Sequence, residues 1–176
     1  NLQLGRSTDD AEEFSPNADL SLYGLEGVFN TTKTEGTWLN VFKLEDNSLL
    51  TLGLDYLKDE LDALTAFPIN SRDNKAAFLQ YRFQSEGSDV NFGARRDDNE
   101  QFGENTTISL MAAENVSDNI RLNFSYGEGF KAPTFNDLYW PGLSNPNLLP
   151  EQSKNIELGL KADLDGAFVS LGLFNP

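Results

Sequence analysis

The 176 residues include neither cysteine nor histidine, and 28 acidic against 13 basic residues leave a net charge of −15. Without cysteine there is no disulfide, thiolate metal site or cysteine nucleophile, and without histidine the usual neutral-pH acid/base and every His-dependent triad are gone. A chain with a pI near 4.2 has the wrong sign for nucleic acid, and no stretch approaches the roughly 18 apolar residues of a membrane helix.

In chain order, residues 1–6 read as the end of a strand (Leu2, Leu4) with no basic or apolar leader, so any secretory signal is expected outside this chain. A long loop is expected over 7–27. It carries Asp9, Asp10, Glu12, Glu13, Asp19 and Glu26 and no base. Hard oxygen ligands crowded together suit calcium, although the spacing lacks the glycine and alternating ligands of a known calcium loop. A solvated acidic loop is the competing reading.

The next segments alternate with period two. Strands are expected at 28–44, 48–57, 74–84, 88–97, 105–113, 119–129, 155–162 and 166–174. Leu50, Leu52, Leu54 and Tyr56 stand against Thr51, Gly53 and Asp55, and Ile120, Leu122, Phe124 and Tyr126 against Arg121, Asn123 and Ser125. Successive side chains point to opposite faces, so each strand has one apolar and one small or polar face. Glu45–Asn47, Ser85–Gly87, Glu114–Asp118 and Asp163–Asp165 read as tight turns; 58–73, 98–104 and 130–154 read as long loops. Leu57–Leu64 passes for a short helix.

A meander with tight turns at one end and long loops at the other is the plan of an outer-membrane β-barrel. The fold class is therefore all-β, an antiparallel up-and-down meander of about eight or nine strands forming part of a transmembrane barrel. A mean hydropathy of −0.44 is compatible with this, because half of each strand faces a wet lumen. Tyr56 and Tyr126 fall at the long-loop rim and Phe83 at the other, as headgroup regions favour. A soluble ligand-binding barrel also alternates, with its apolar face inside. The polar faces here carry Gly53, Ser109, Ser125, Gly159 and Ser170 rather than the lysine and glutamate of a solvated exterior, which favours the membrane. Phe78 and Phe168 fall on the polar face against the pattern.

The densest motif runs from Ser125 to Leu160: Tyr126-Gly127, then Gly129-Phe130-Lys131-Ala132-Pro133, Asn145-Pro146-Asn147-Leu148, Pro150-Glu151, Ser153-Lys154, Glu157 and Gly159. In this order, at a strand–loop–strand junction, it resembles the barrel region of TonB-dependent outer-membrane receptors. The upstream segments LGLDYLKDELDALTAF, SRDNKAAFLQYRFQ and GARRDDNEQFG look most like the cobalamin-receptor branch. The resemblance covers roughly residues 37–174. It implies a larger barrel in the bacterial outer membrane, with a plug and final strands beyond residues 1–176, which would then be a partial barrel domain. It also implies lipid around the wall, TonB acting through the plug, and a cobalamin cargo. Calcium is a possible companion, since members of that branch bind it through extracellular loops.

The Asn-Pro and Leu-Pro steps of the motif hold the chain extended, so this segment reads as loop architecture. Exposed rigid aromatics on a loop are hot-spot material, which makes Tyr139 and Trp140 the leading ligand-contact candidates; packing of the loop onto its neighbours is the competing reading. Asn145, Asn147 and, from the neighbouring loop, Phe67 and Asn70 join the candidates. Arg95-Arg96-Asp97-Asp98 is expected as rim ion pairs of little individual value. Asn30 and Asn105 fit the glycosylation pattern, which a bacterial protein leaves bare. The function expected is import rather than catalysis. Three rivals remain: a ferric-siderophore receptor, a soluble ligand-binding barrel, and an outer-membrane enzyme with a carboxylate-only or Ser-Lys site.

Overall fold

The computed structural model describes residues 1–13, 27–64, 66–140, 142–164 and 167–175. They form one nine-stranded antiparallel sheet, β1 (Leu2–Glu13), β2 (Gly27–Glu45), β3 (Ser48–Ala63), β4 (Ser71–Gln84), β5 (Ser88–Asn99), β6 (Gly103–Ser117), β7 (Ile120–Lys131), β8 (Glu151–Leu164) and β9 (Ala167–Asn175), with a five-residue helix α1 (Phe135–Tyr139) between β7 and β8. Spatial order equals chain order. β2 to β8 therefore bond to a neighbour on both sides, and β1 and β9 each keep one edge unpaired among the described residues.

Several strands run further than alternation predicts. Residues 7–13, expected in a loop, continue β1, so Asp9, Asp10, Glu12 and Glu13 lie on a strand opposite Thr31, Asn30, Val28 and Gly27. Asp9 and Asp10 consequently point to opposite faces. The rest of that acidic loop, including Asp19 and Glu26, lies outside the described residues. Leu57–Leu64 is not helical, because β3 continues to Ala63 with Lys58, Asp59 and Glu60 paired to β4. The expected loop 58–73 shrinks to 64–70, and 98–104 becomes a tight turn closed at Gly103, whose φ of +71° suits a residue without a side chain. At the opposite end β6 runs to Ser117, leaving a two-residue turn where Glu114–Asp118 was expected.

Register matches apolar to apolar across the sheet. Directly opposed residues share a face, and one row reads Phe42, Leu50, Tyr81, Phe92, Leu110, Tyr126, Ile156 from β2 to β8. The next reads Phe83, Val90, Ala112, Phe124, Leu158, Leu173. This face is not sealed inside: Leu54 is 53% exposed, Leu158 53% and Leu173 74%. A continuous apolar belt of this size needs an apolar medium.

The belt climbs across the rows. Tyr56 and Tyr126 are each the last outward aromatic before the charged end of a strand, yet Tyr126 falls in the row of Leu50, six residues from Tyr56 along β3. Six residues at about 3.3 Å against four strand spacings of about 4.8 Å give a slope near 45°. Strands cross the axis of a membrane barrel at about that tilt.

The other face is polar and hollow. A concavity of about 780 Å³ spans β4 to β9, lined on this face by Asn91, Met111, Asn123, Ser125 and Gly159. Alternation along β4 puts Phe78 on this face, and its ring fits because Gly53 lies opposite it: a Cβ on Gly53 would stand 2.1 Å from the Phe78 ring. The Arg95 guanidinium covers the ring at 5.8 Å. Phe168 is 70% exposed on the same face, and nothing in the structure explains it.

Gly53→Val should lower the denaturant midpoint by the equivalent of about 1–3 kcal/mol through overpacking. Gly127→Val, where nothing lies within 4 Å of the added carbon, should cost less than about 0.5 kcal/mol. Equal effects would show that Phe78 does not occupy the space over Gly53.

Candidate functional site: a strap over a polar wall

The segment between β7 and β8 is ordered by its own chemistry. Thr134 caps α1. Its hydroxyl accepts the Asp137 N–H at 3.2 Å while its own N–H donates to the Asp137 carboxylate at 2.8 Å, a reciprocal capping box. The Thr134 N–H, and the Thr134 hydroxyl donating to the same carboxylate at 2.7 Å, hold the Asp137 carboxyl below its ordinary pKa. Phe135 and Leu138, three residues apart and therefore on one side of the helix, are both buried. The carbonyl of Asp137 accepts the Asn145 N–H at 3.0 Å, and the Asn145 side-chain oxygen accepts the Asn147 N–H at 3.0 Å. The segment is thus a folded strap.

Arg72, at the start of β4, ties the strap to the sheet. Its guanidinium donates to the Pro133 carbonyl at 2.9 Å, reaches the Gln101 side-chain oxygen at 3.4 Å, and lies 5.1 Å from the Phe135 ring centroid and 5.6 Å from that of Phe102. The residue is 8% exposed. One side chain therefore joins the β4 end, the β5–β6 turn and the strap. A second tie is the ring of Trp140, stacked on Phe29 of β2 at 5.0 Å.

Beneath the strap a hydrogen-bonded chain climbs the polar face. Thr37 donates to Asp55, and Arg95 donates to Asp55 at 2.5 Å and to Asp97 through Nε at 3.0 Å. Asn74 donates to Asp97 at 2.9 Å, and Asn99 to the Asn74 side-chain oxygen at 3.3 Å. The Asn99 side-chain oxygen accepts the N–H groups of Gln101 and Phe102, and Gln101 donates to the Tyr139 hydroxyl at 2.7 Å. Two hollows of about 370 and 360 Å³ share Arg95. The upper is lined by Leu57, Asp59, Arg72, Asn99 and Phe130, the lower by Asp55, Phe78, Gln80 and Ser109. Asp59 presents a buried carboxylate oxygen without a hydrogen-bond partner, 3.8 Å from the Lys33 ammonium.

Of the residues expected at the site, Tyr139 and Trp140 come together on the strap, one bonded to the wall and one stacked on it. Asn145 turns its side-chain oxygen back on the strap, and Asn147 is exposed beside it. Phe67 is half-buried and Asn70 exposed between β3 and β4, where the Asn70 carbonyl accepts the Leu61 N–H. Among the described residues no hydrogen bond links either to the strap. Pro141 lies outside the described residues. Arg95-Arg96-Asp97-Asp98 sits at the end of β5, one residue short of the turn, and its pairs divide by face: Arg95 with Asp97 on the polar side, Arg96 with Glu104 on the apolar side. Arg72, Asp59 and Gln101 were not singled out by sequence. The Thr134–Asp137 spacing is the one local signal that marks the strap's helix.

The chain matches a family model described as the β-barrel of TonB-dependent receptor-like proteins over residues 2–175. The vitamin B12 transporter BtuB of Photobacterium profundum is 42% identical over 136 residues, 74% of this chain and 22% of that protein. The vitamin B12 transporter BtuB of Vibrio vulnificus is 36% identical over 138 residues, 76% of this chain and 22% of that protein. The chain thus spans about a fifth of the length of these relatives. Among solved structures, the siderophore receptor PirA of Acinetobacter baumannii superposes with a TM-score of 0.74 at 19% identity, covering 98% of this chain and 31% of that one. A mutant of the ferric enterobactin receptor PfeA of Pseudomonas aeruginosa, in complex with enterobactin, gives 0.68 at 19% over the same shares. At these identities the superpositions establish the fold.

Arg72→Ala should free the strap while leaving the sheet folded, because it removes a charged hydrogen bond worth about 1.5–3 kcal/mol. Limited proteolysis should then cut within 134–150 at least several-fold faster, with Arg72→Lys intermediate because it lacks the planar fork. Unchanged cleavage would show that the strap does not depend on this anchor.

Proposed function

The chain belongs to the family of TonB-dependent receptor-like β-barrels, and on that footing we propose that it forms part of the wall and capture rim of an outer-membrane active transporter for cobalamin or a closely related corrinoid. The observation that carries the cargo is the 42% identity to a vitamin B12 transporter across 136 residues. The siderophore receptors resemble the chain in fold at 19% identity, which does not weigh on the cargo.

In this reading the apolar belt meets hydrocarbon, and the sheet's backbone groups are satisfied strand to strand as a lipid environment demands. The unpaired edges of β1 and β9 are closed by the remaining strands of the receptor. The polar face lines the lumen and meets the plug, and TonB, acting through that plug, supplies the energy for import. The strap overhangs this lumen. Tyr139 and Trp140 present rigid rings there, and the Asp59 carboxylate below, with one oxygen lacking a hydrogen-bond partner, adds a polar group, the mixture a concave ligand site uses. Tight anchoring of the strap by Arg72 lowers the ordering cost of capture. No covalent step is required of any residue.

Two experiments test this reading on the complete receptor. Titration with cyanocobalamin should give saturable one-to-one binding that Trp140→Ala weakens about tenfold, as loss of a hot-spot aromatic does. Saturable binding of a ferric siderophore, with none of cyanocobalamin, would overturn the cargo. For the wall, Leu79→Arg should cost about 2–4 kcal/mol of folding stability in bilayers, and Gln80→Arg, one residue away on the lumen face, about 0–1. Equal costs would remove the assignment of faces.

A further inference from the structure

The outward face carries a feature that neither the strap nor the lumen uses. Just beyond the belt, at the strap end, the first polar outward side chain is a cation on five of nine strands. Arg6 follows Leu4, Lys58 follows Tyr56, Lys75 precedes Ala77, Arg96 follows Ala94 and Lys154 precedes Ile156. The other four are Thr34, Thr106, Asn175 and Glu128, whose carboxylate turns into the β6–β7 seam to accept the Ile108 N–H. In a chain with 28 acids and 13 bases, an outward tier with five cations and one acid runs against composition.

The tier follows the belt's slope rather than a row of the sheet. Lys58, Lys75 and Arg96 lie on adjacent strands, each in a row of its own, opposite Thr34, Tyr56 and Ala77. They therefore share a height only if the strands tilt as the belt requires. At the tight-turn end the matching outward positions are Ser48, Ser85, Ser88, Glu114, Asp118 and Leu164, with no Lys or Arg.

On β3 to β6 the next outward position is a carboxylate: Glu60, Asp73, Asp98 and Glu104. Lys58 pairs with Glu60 at 2.7 Å and Arg96 with Glu104 at 2.5 Å, while Arg6 and Lys75 have no ion pair among the described residues. The acids stand about 6.6 Å further along each strand, so an anion at the hydrocarbon boundary meets the cations first. The side chains reach outward: Arg96 is 60% exposed and Lys154 71%.

We propose that this tier, centred on Lys58, Lys75 and Arg96, binds the phosphate groups of outer-leaflet lipid and fixes the height of the wall in the membrane. Apolar surface directly below a row of flexible ammonium and guanidinium groups is the shape of a phosphorylated amphiphile: acyl chains lie on Leu54, Leu79 and Ala94, and phosphate meets the charges. The inference rests on the outward assignment of this face and not on the cargo.

The complete receptor would be reconstituted in nanodiscs containing a trace of bis-phosphorylated lipid A, or its dephosphorylated form, in neutral phosphatidylcholine. Retained glycolipid would be counted by native mass spectrometry. The wild type should retain the phosphorylated form, and the triple variant K58Q/K75Q/R96Q about tenfold less. The charge-matched lumen variant K43Q/R82Q/K161Q should retain it like the wild type. Cyanocobalamin binding by all three proteins reports separately on folding and cargo. Equal retention by the wild type and the outer triple variant, equal retention of both glycolipids, or an equal loss in the lumen variant would each overturn the proposal.

Discussion

Everything in this molecule depends on antiparallel pairing from each strand to the next. Hydrocarbon offers a peptide group no hydrogen-bond partner, so a sheet can lie against it only where each strand satisfies the next. The ladders here run in chain order without a crossover, and because side chains alternate, the pairing also sorts them. A slip of one residue at any strand would exchange the two faces of that strand. Where a ladder ends early, a side chain takes over: β6 and β7 part beyond Ser109 and Gly127, and the Glu128 carboxylate accepts the Ile108 N–H left behind.

Tilt follows from the same register. Rows of paired residues run perpendicular to the strands, while a membrane is flat, so a belt that stays at one height must cross the rows. The displacement from Tyr56 to Tyr126 is that crossing. Gly53 and Phe78 show the local counterpart. A large ring on the small-residue face is accommodated because its neighbour has no side chain, and Arg95 shields it from water.

The belt was legible in the sequence because lipid on one side and water on the other enforce strict alternation. Strand ends were not. Beyond Tyr56 neither face of β3 meets lipid, so Lys58, Asp59, Glu60 and Asp62 lose the pattern that marks a strand while remaining paired to β4 or β2. The same effect hid residues 7–13 of β1. Tyr139 and Trp140 were legible as loop aromatics, but both are half-buried, and the wall they pack against was not legible. Arg72 sits 61 residues from its partner Pro133, and no local spacing encodes a contact of that range. The Thr134–Asp137 cap was readable, but a helix of five residues has too few turns for periodicity to reveal it.

Cations are divided between the two faces by chemistry as well as position. The buried or half-buried ones that reach across the polar face to non-neighbouring elements are all arginines: Arg72 to the strap, Arg95 over β4 to Asp55, and Arg121 over β6 to Asp89. A guanidinium holds a planar fork and keeps its charge when partly dehydrated, so one side chain can clamp two elements. Bridges over an intervening strand also require side chains to converge, which happens only on the concave side of a curved sheet. The outward tier mixes lysine with arginine and faces water or headgroups, where flexibility costs little and fixed geometry brings no gain. Thus the same residue class stiffens the lumen, where strap and wall must keep one shape, and stays mobile outside, where the surroundings are fluid.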